Sequence, residues 1–120
     1  MSIIQRGELM SKNGNEPIGV VMLMRHTPEF RNLSKEELSK SDEEIVGLMK
    51  KWHSKEGARL LGFYGPVFGT EYSIMEFWEF PDLDSVIKFR REFLDLKGRY
   101  VFLKFLIGKS RLKELEIETR

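Results

Sequence analysis

Apolar positions along the 120-residue chain recur at two spacings, and the order of those spacings predicts the elements. Ile18 to Arg25, IGVVMLMR, is almost unbroken apolar sequence between turn residues, the pattern of a strand covered on both faces. His26-Thr27-Pro28 ends it, because proline brings no ladder donor and pushes the preceding residue toward extended geometry. Ser34-Lys35-Glu36-Glu37 and Ser41-Asp42-Glu43-Glu44 both fit a capping box, so either can start the helix that follows. Ile45, Leu48, Met49 and Trp52 then recur at helical spacing, and Gly57 stands where a glycine closes a helix. Ala58 to Tyr64 and Thr70 to Phe80 read as two strands joined by the loop Gly65-Pro66-Val67-Phe68-Gly69. That loop carries two apolar side chains where polar turn residues are usual, so it either packs on a partner or covers a pocket. Asp82 in Pro81-Asp82-Leu83-Asp84-Ser85 caps a second helix, with Leu83, Val86, Ile87, Arg90, Phe93 and Leu94 on its inner side. Gly98 breaks it, and Arg99 to Ile107, RYVFLKFLI, is the last strand.

The order strand, helix, strand, strand, helix, strand predicts an α+β, ferredoxin-like βαββαβ domain: a four-stranded antiparallel sheet with two helices on one face. Residues 18–110 form this domain, residues 1–17 an N-terminal arm with an apolar patch at Ile3 and Ile4, and residues 111–120 a C-terminal tail. Two helices cover only one face of the sheet, yet the strands are apolar on both alternations. A second copy supplies the missing cover most simply, pairing sheet to sheet as a homodimeric barrel, with higher assembly open.

Composition narrows the partners. Lys plus Arg number 20 against 19 Asp plus Glu, so the net charge of +1 gives no drive toward nucleic acid or an anionic membrane, and neither is expected. With 0 cysteines there is no disulfide framework and no thiol nucleophile. No run reaches the roughly twenty apolar residues of a membrane span, and the N-terminus lacks the order of a signal peptide, so a cytoplasmic location is expected. No phosphate-binding glycine loop, nucleophile elbow or histidine pair at ligand spacing occurs; no metal and no cofactor are expected.

GARLLGFYG and EYSIMEFWEFPDLDSVIKF resemble the second strand, third strand and second-helix start of the dimeric α+β barrel superfamily. This superfamily includes antibiotic-biosynthesis-type monooxygenases, stress-responsive barrel proteins and chlorite dismutase relatives. The resemblance implies the ferredoxin-like dimer and admits many chemistries. One haem-degrading and quinone-forming subgroup combines an asparagine on the first strand, a tryptophan on the third and, in haem degraders, a histidine on the second helix. Trp78 stands near the tryptophan position, whereas the first strand has no asparagine and the second helix no histidine.

Alternation sorts candidate chemistry by face. Glu76, with Tyr72, Ile74, Trp78 and Phe80, and Lys104, with Tyr100, Phe102 and Leu106, are expected on one sheet face, turned to the barrel interior. Glu76 is then either a general base or anchor in an apolar cavity, or half of a buried ion pair with Lys104. His26 at the first strand's end either moves a proton at a cavity mouth or bonds the backbone of its loop. Arg25 could bind a carboxylate or meet an acidic helix end. Tyr64, Tyr72 and Trp78 either line an aromatic pocket or pack as core. His53, in a basic last helical turn, is read as structural and Trp52 as core. Two functions remain: a homodimeric small-molecule-binding protein, such as a cofactor-independent monooxygenase- or isomerase-like enzyme with a pocket near Glu76, or a non-catalytic binding or stress-type module whose interior its own side chains fill.

Overall fold

The computed structural model describes residues 17–115; the arm carrying Ile3 and Ile4 and the end of the tail lie outside the described residues. Strand β1 spans Ile18–His26, a single helical turn α1 Pro28–Arg31, helix α2 Lys35–Ser54, strands β2 Arg59–Tyr64 and β3 Ile74–Phe80, helix α3 Leu83–Lys97 and strand β4 Val101–Lys109. A 3-10 turn over Leu112–Leu115 follows. The strands form a single four-stranded sheet in the order β2-β3-β1-β4, every neighbouring pair antiparallel. This is the ferredoxin-like arrangement, with the long helices on one face. No helix among the described residues is long and apolar enough to cross a membrane.

Local chemistry explains the boundaries. Ser34 is the cap chosen for α2: its Oγ accepts from the Glu37 N–H at 3.2 Å and the Ser34 N–H donates to Glu37 Oε1 at 3.1 Å. Residues 35–40 are helical too, so the second candidate cap, Ser41, sits inside the helix. Gly57, at φ 79°, turns the chain into β2 three residues after α2 ends. Asp82 caps α3, its Oδ1 accepting from the Ser85 N–H at 2.7 Å. β3 begins at Ile74 and not at Thr70, because the chain is diverted at Gly69 (φ 87°) and the Ser73 N–H is drawn to the Met24 carbonyl at 2.8 Å. β4 runs two residues later at each end than the sequence pattern suggests, since Tyr100 closes a turn by donating to the Lys97 carbonyl.

The core lies between sheet and helices. Ile18, Val20, Met22 and Met24 of β1 and Trp78 and Phe80 of β3 pack against Leu48 and Trp52 of α2 and Val86, Phe89 and Phe93 of α3. Phe89 is its hub, with ring centroids 5.0 Å from Trp78, 5.3 Å from Phe80 and 5.7 Å from Trp52. The buried stripe of α3 is Val86, Phe89, Phe93 and Lys97, whereas Leu83 and Ile87 are half exposed. Two phenylalanines offer more area to bury than the leucine and isoleucine beside them, so they set the rotation of the helix.

Candidate functional site

Pairing register places the candidate residues, because directly opposed residues of an antiparallel pair share a face. Met22 opposes Glu76 on β3 and Phe105 on β4, so Glu76 points into the helix-covered core. Lys104 opposes Leu23, on the other face. The expected pairing of Glu76 with Lys104 is therefore corrected: the sheet itself separates them. Trp78 and Phe80 follow Glu76 into the core instead of lining an interior between subunits. Both rows of β3 are rich in apolar side chains, so alternation identified the rows without saying which one the helices cover.

Glu76 is 1% exposed. Its Oε1 accepts from the Trp78 indole N–H at 2.8 Å, a contact between side chains two apart on one strand face. Burial pushes its carboxyl from the usual 4.5 up to about 7, against the smaller opposing effect of the indole bond. The arrangement holds a carboxyl able to give or take a proton near neutrality. Phe63 of β2 is its neighbour toward the sheet edge.

His26 lies at the far end of β1, its ring stacked on Phe30 with centroids 3.7 Å apart. Desolvation lowers its pKa, nearby Lys97 and Arg31 lower it further, and Asp42 opposes them. Lys97 is a residue the sequence reading missed. It is 5% exposed, donates to Ser41 Oγ at 2.6 Å and lies 5.1 Å from the Phe30 ring. Its burial lowers the ammonium pKa, while Asp42 and Glu44 hold it up. The four-residue spacing from Phe93 on the buried stripe was the available sign of it. Tyr72 is apart from both groups, in the loop before β3, with its N–H directed to Thr70 Oγ1.

The sheet face away from the helices carries Val21 and Leu23 of β1 and Met75 and Phe77 of β3 in its middle, with Leu106 of β4 and Tyr64 of β2 on the edge strands. One end has Arg25, opposed to Phe102, with Lys104 one row inward. The Arg25 guanidinium carbon sits 4.2 Å from the Phe102 ring centroid, and its Nε is buried with no hydrogen-bond partner. The other end has Gly19 opposed to Glu79 on one side and Gly108 on the other. There a groove of about 430 Å³ opens, lined by Gly19, Val21, Glu79, Leu106 and Gly108 among others. Arg25, Lys104 and Tyr64 thus share one face, while Glu76, Trp78 and His26 do not join them. Gly19, Gly108 and Glu79 went unremarked in the sequence because only the register makes them neighbours.

Haem, the group handled by one subgroup of the resemblance, is held in the globins and peroxidases by a histidine nitrogen with a free lone pair. His53 Nδ1 accepts from the Leu60 N–H at 2.9 Å, which leaves Nε2 carrying the proton and unable to ligate. His26 is stacked flat on Phe30. The helix α3 carries no histidine, so the second-helix histidine of the haem degraders has no counterpart here.

No family model and no curated protein matches the chain. Solved structures do match it in fold. A mutant chlorite dismutase from Candidatus Nitrospira defluvii superposes with a TM-score of 0.70 at 18% identity, over 79% of this chain and 40% of that one. A second mutant of that enzyme, in complex with cyanide, gives 0.69 at 19% identity, over 92% and 44%. The RPA0582 protein of unknown function from Rhodopseudomonas palustris gives 0.54 at 12% identity, over 92% and 94%. This chain therefore spans about two-fifths of the first chlorite dismutase and nearly all of the third protein. The likeness is to the ferredoxin-like α+β barrel fold, as the strand and helix-start motifs implied.

Proposed function

We propose that the protein is a cytoplasmic homodimer that binds a small, largely apolar molecule in the space between its two sheets, with Lys104 and Tyr64 as the polar groups facing that space. The observation that carries this reading is the uncovered sheet face. Val21, Leu23, Met75, Phe77 and Leu106 make a contiguous apolar surface with a groove at one end, bounded by charged residues at both. Soluble monomers rarely leave a patch of this kind to water, and facing sheets bury such patches while the side chains at the contact decide what room remains. Lys104 and the half-exposed Tyr64 reach the face from opposite edges of the sheet, where an ammonium and a phenol can orient a carboxylate or carbonyl. Glu76 and His26 in this reading serve packing.

A second reading, an enzyme that moves a proton through Glu76, has in its favour the carboxyl poised at about 7. Native mass spectrometry of the purified protein, before and after denaturation, tests both. The expected result is twice the 14.2 kDa chain mass with a small molecule released on unfolding. A monomer overturns the assembly, and a dimer of bare mass that takes up no apolar carboxylate probe overturns the binding site. Glu76→Gln separates the readings: retained ligand with Glu76→Gln and weakened retention with Lys104→Ala support binding on the open face.

A further inference from the structure

Ser41 lies inside α2 and Lys97 ends α3, yet the lysine Nζ stands 2.6 Å from the serine Oγ. Ser41 caps nothing, because Ser34 already starts the helix. Ser54, farther along α2, returns its hydroxyl to the Lys50 carbonyl at 2.8 Å, whereas Ser41 turns its oxygen to the amine of another helix. Lys97 is buried, and among the described residues no carboxylate reaches it at ion-pair distance. Around the pair stand Asp42 and Glu44 of α2, Arg31 and the Phe30 ring of α1, and His26 of β1. Burial lowers the Lys97 pKa against the pull of the two carboxylates, and burial and Lys97 together hold His26 toward its neutral form.

Ser41 opens onto a pocket of about 300 Å³ whose other walls are Leu33, Glu37, Lys40, Glu44, Leu96 and Tyr100. Lys97 is not part of that lining. A hydroxyl on the wall of a pocket, with a desolvated amine in hydrogen-bond contact behind it, is the arrangement of a serine nucleophile served by a lysine base.

We infer that Ser41 is the nucleophile and Lys97 the general base of an acyl-transfer site that hydrolyses small uncharged esters. The neutral amine takes the proton of the Ser41 hydroxyl as Oγ bonds the ester carbonyl carbon. Collapse of that adduct breaks the ester C–O bond, and the alcohol leaves with the proton from Lys97. Water, deprotonated in turn by Lys97, then displaces Ser41 and frees the carboxylic acid. Glu37 and Glu44 repel an anionic substrate, Leu33, Leu96 and Tyr100 accept a short acyl chain, and the Lys40 ammonium supplies a cation for the oxyanion. This site involves neither the open sheet face nor Glu76.

A fluorophosphonate probe, which an activated serine captures with loss of fluoride, tests the pair on the intact chain. Attachment at Ser41, located by peptide mass spectrometry, is expected, together with para-nitrophenyl butyrate hydrolysis above the Ser41→Ala background. Labelling should rise with pH as the ammonium gives up its proton, and should level off below the 10.5 of an ordinary lysine. Lys97→Arg keeps the cation but has no neutral form, so labelling at Ser41 should fall roughly a hundredfold. Circular dichroism checks that the variants fold; should Lys97→Arg not fold, the wild-type pH profile decides, and a flat one overturns the base. Absence of the label from Ser41, or a label there that survives Lys97→Arg, overturns the assignment.

Discussion

Two glutamates show how one bond type yields opposite acids. Glu92 and Glu76 each accept an indole N–H, from Trp52 at 3.2 Å and Trp78 at 2.8 Å. Burial acts to raise both. At Glu92 the Lys51 ammonium, 2.8 Å away, outweighs burial together with the Trp52 bond, and the carboxyl falls below its usual range. Among the described residues Glu76 has no such cation, and it rises to about 7. Because its folded pKa exceeds the ordinary 4.5, the folded chain holds the proton more tightly than the unfolded chain does. Its contribution to stability is full below pH 4.5 and is lost as the pH climbs through 7. Glu76→Gln keeps an acceptor for Trp78 and removes the charge. Urea denaturation should therefore show the variant about 3 kcal/mol more stable than wild type at pH 8, with the difference vanishing near pH 4. An equal difference at both pH values would contradict this origin. The sequence exposed Glu76 as an outlier among apolar residues; its pattern alone points it to the barrel interior, and the register turns it into the helix-covered core instead.

At the scale of the element, caps were legible and rotations were not. Asp82 acts as the sequence pattern predicts, and of the two candidate caps for α2 the structure uses Ser34. Each cap is read from a few adjacent residues bonding their own backbone, so no tertiary knowledge is needed. The face of α3 turned inward is another matter. Leu83, Ile87, Arg90 and Leu94 recur at helical spacing as well as Val86, Phe89, Phe93 and Lys97 do, and only the aromatic cluster around Phe89 chooses the latter. Phe89→Ala, which empties the hub, should cost about 3–5 kcal/mol in chemical denaturation. Ile87→Ala, on the half-exposed side, should cost under about 1 kcal/mol. Equal losses would place the helix in a different rotation.

For the whole molecule the decisive fact is that one sheet has two apolar faces and the helices cover one of them. Val20 and Val21 are neighbours in sequence and face opposite ways, Val20 buried against the helices and Val21 in the open groove. Val20→Glu should prevent folding, seen as loss of the cooperative melt, because a carboxylate would stand in the aromatic core. Val21→Glu should leave the secondary structure intact and yield a monomer by light scattering. Two folded dimers, or two unfolded chains, would contradict the assignment of faces.

The sequence by itself determined the order of elements, the antiparallel sheet of a ferredoxin-like domain and the caps, since these depend on periodicity and on contacts between near neighbours in the chain. It also showed that both alternations of the strands are apolar, which raised the second copy. Only the tertiary structure decided that Glu76 and Trp78 lie under the helices, that Lys104 lies across the sheet from them, and that Gly19, Glu79 and Gly108 make one hollow. Those are facts of register and of face. A period of two separates the sides of a strand without naming them, and the name comes from which side the helices bury.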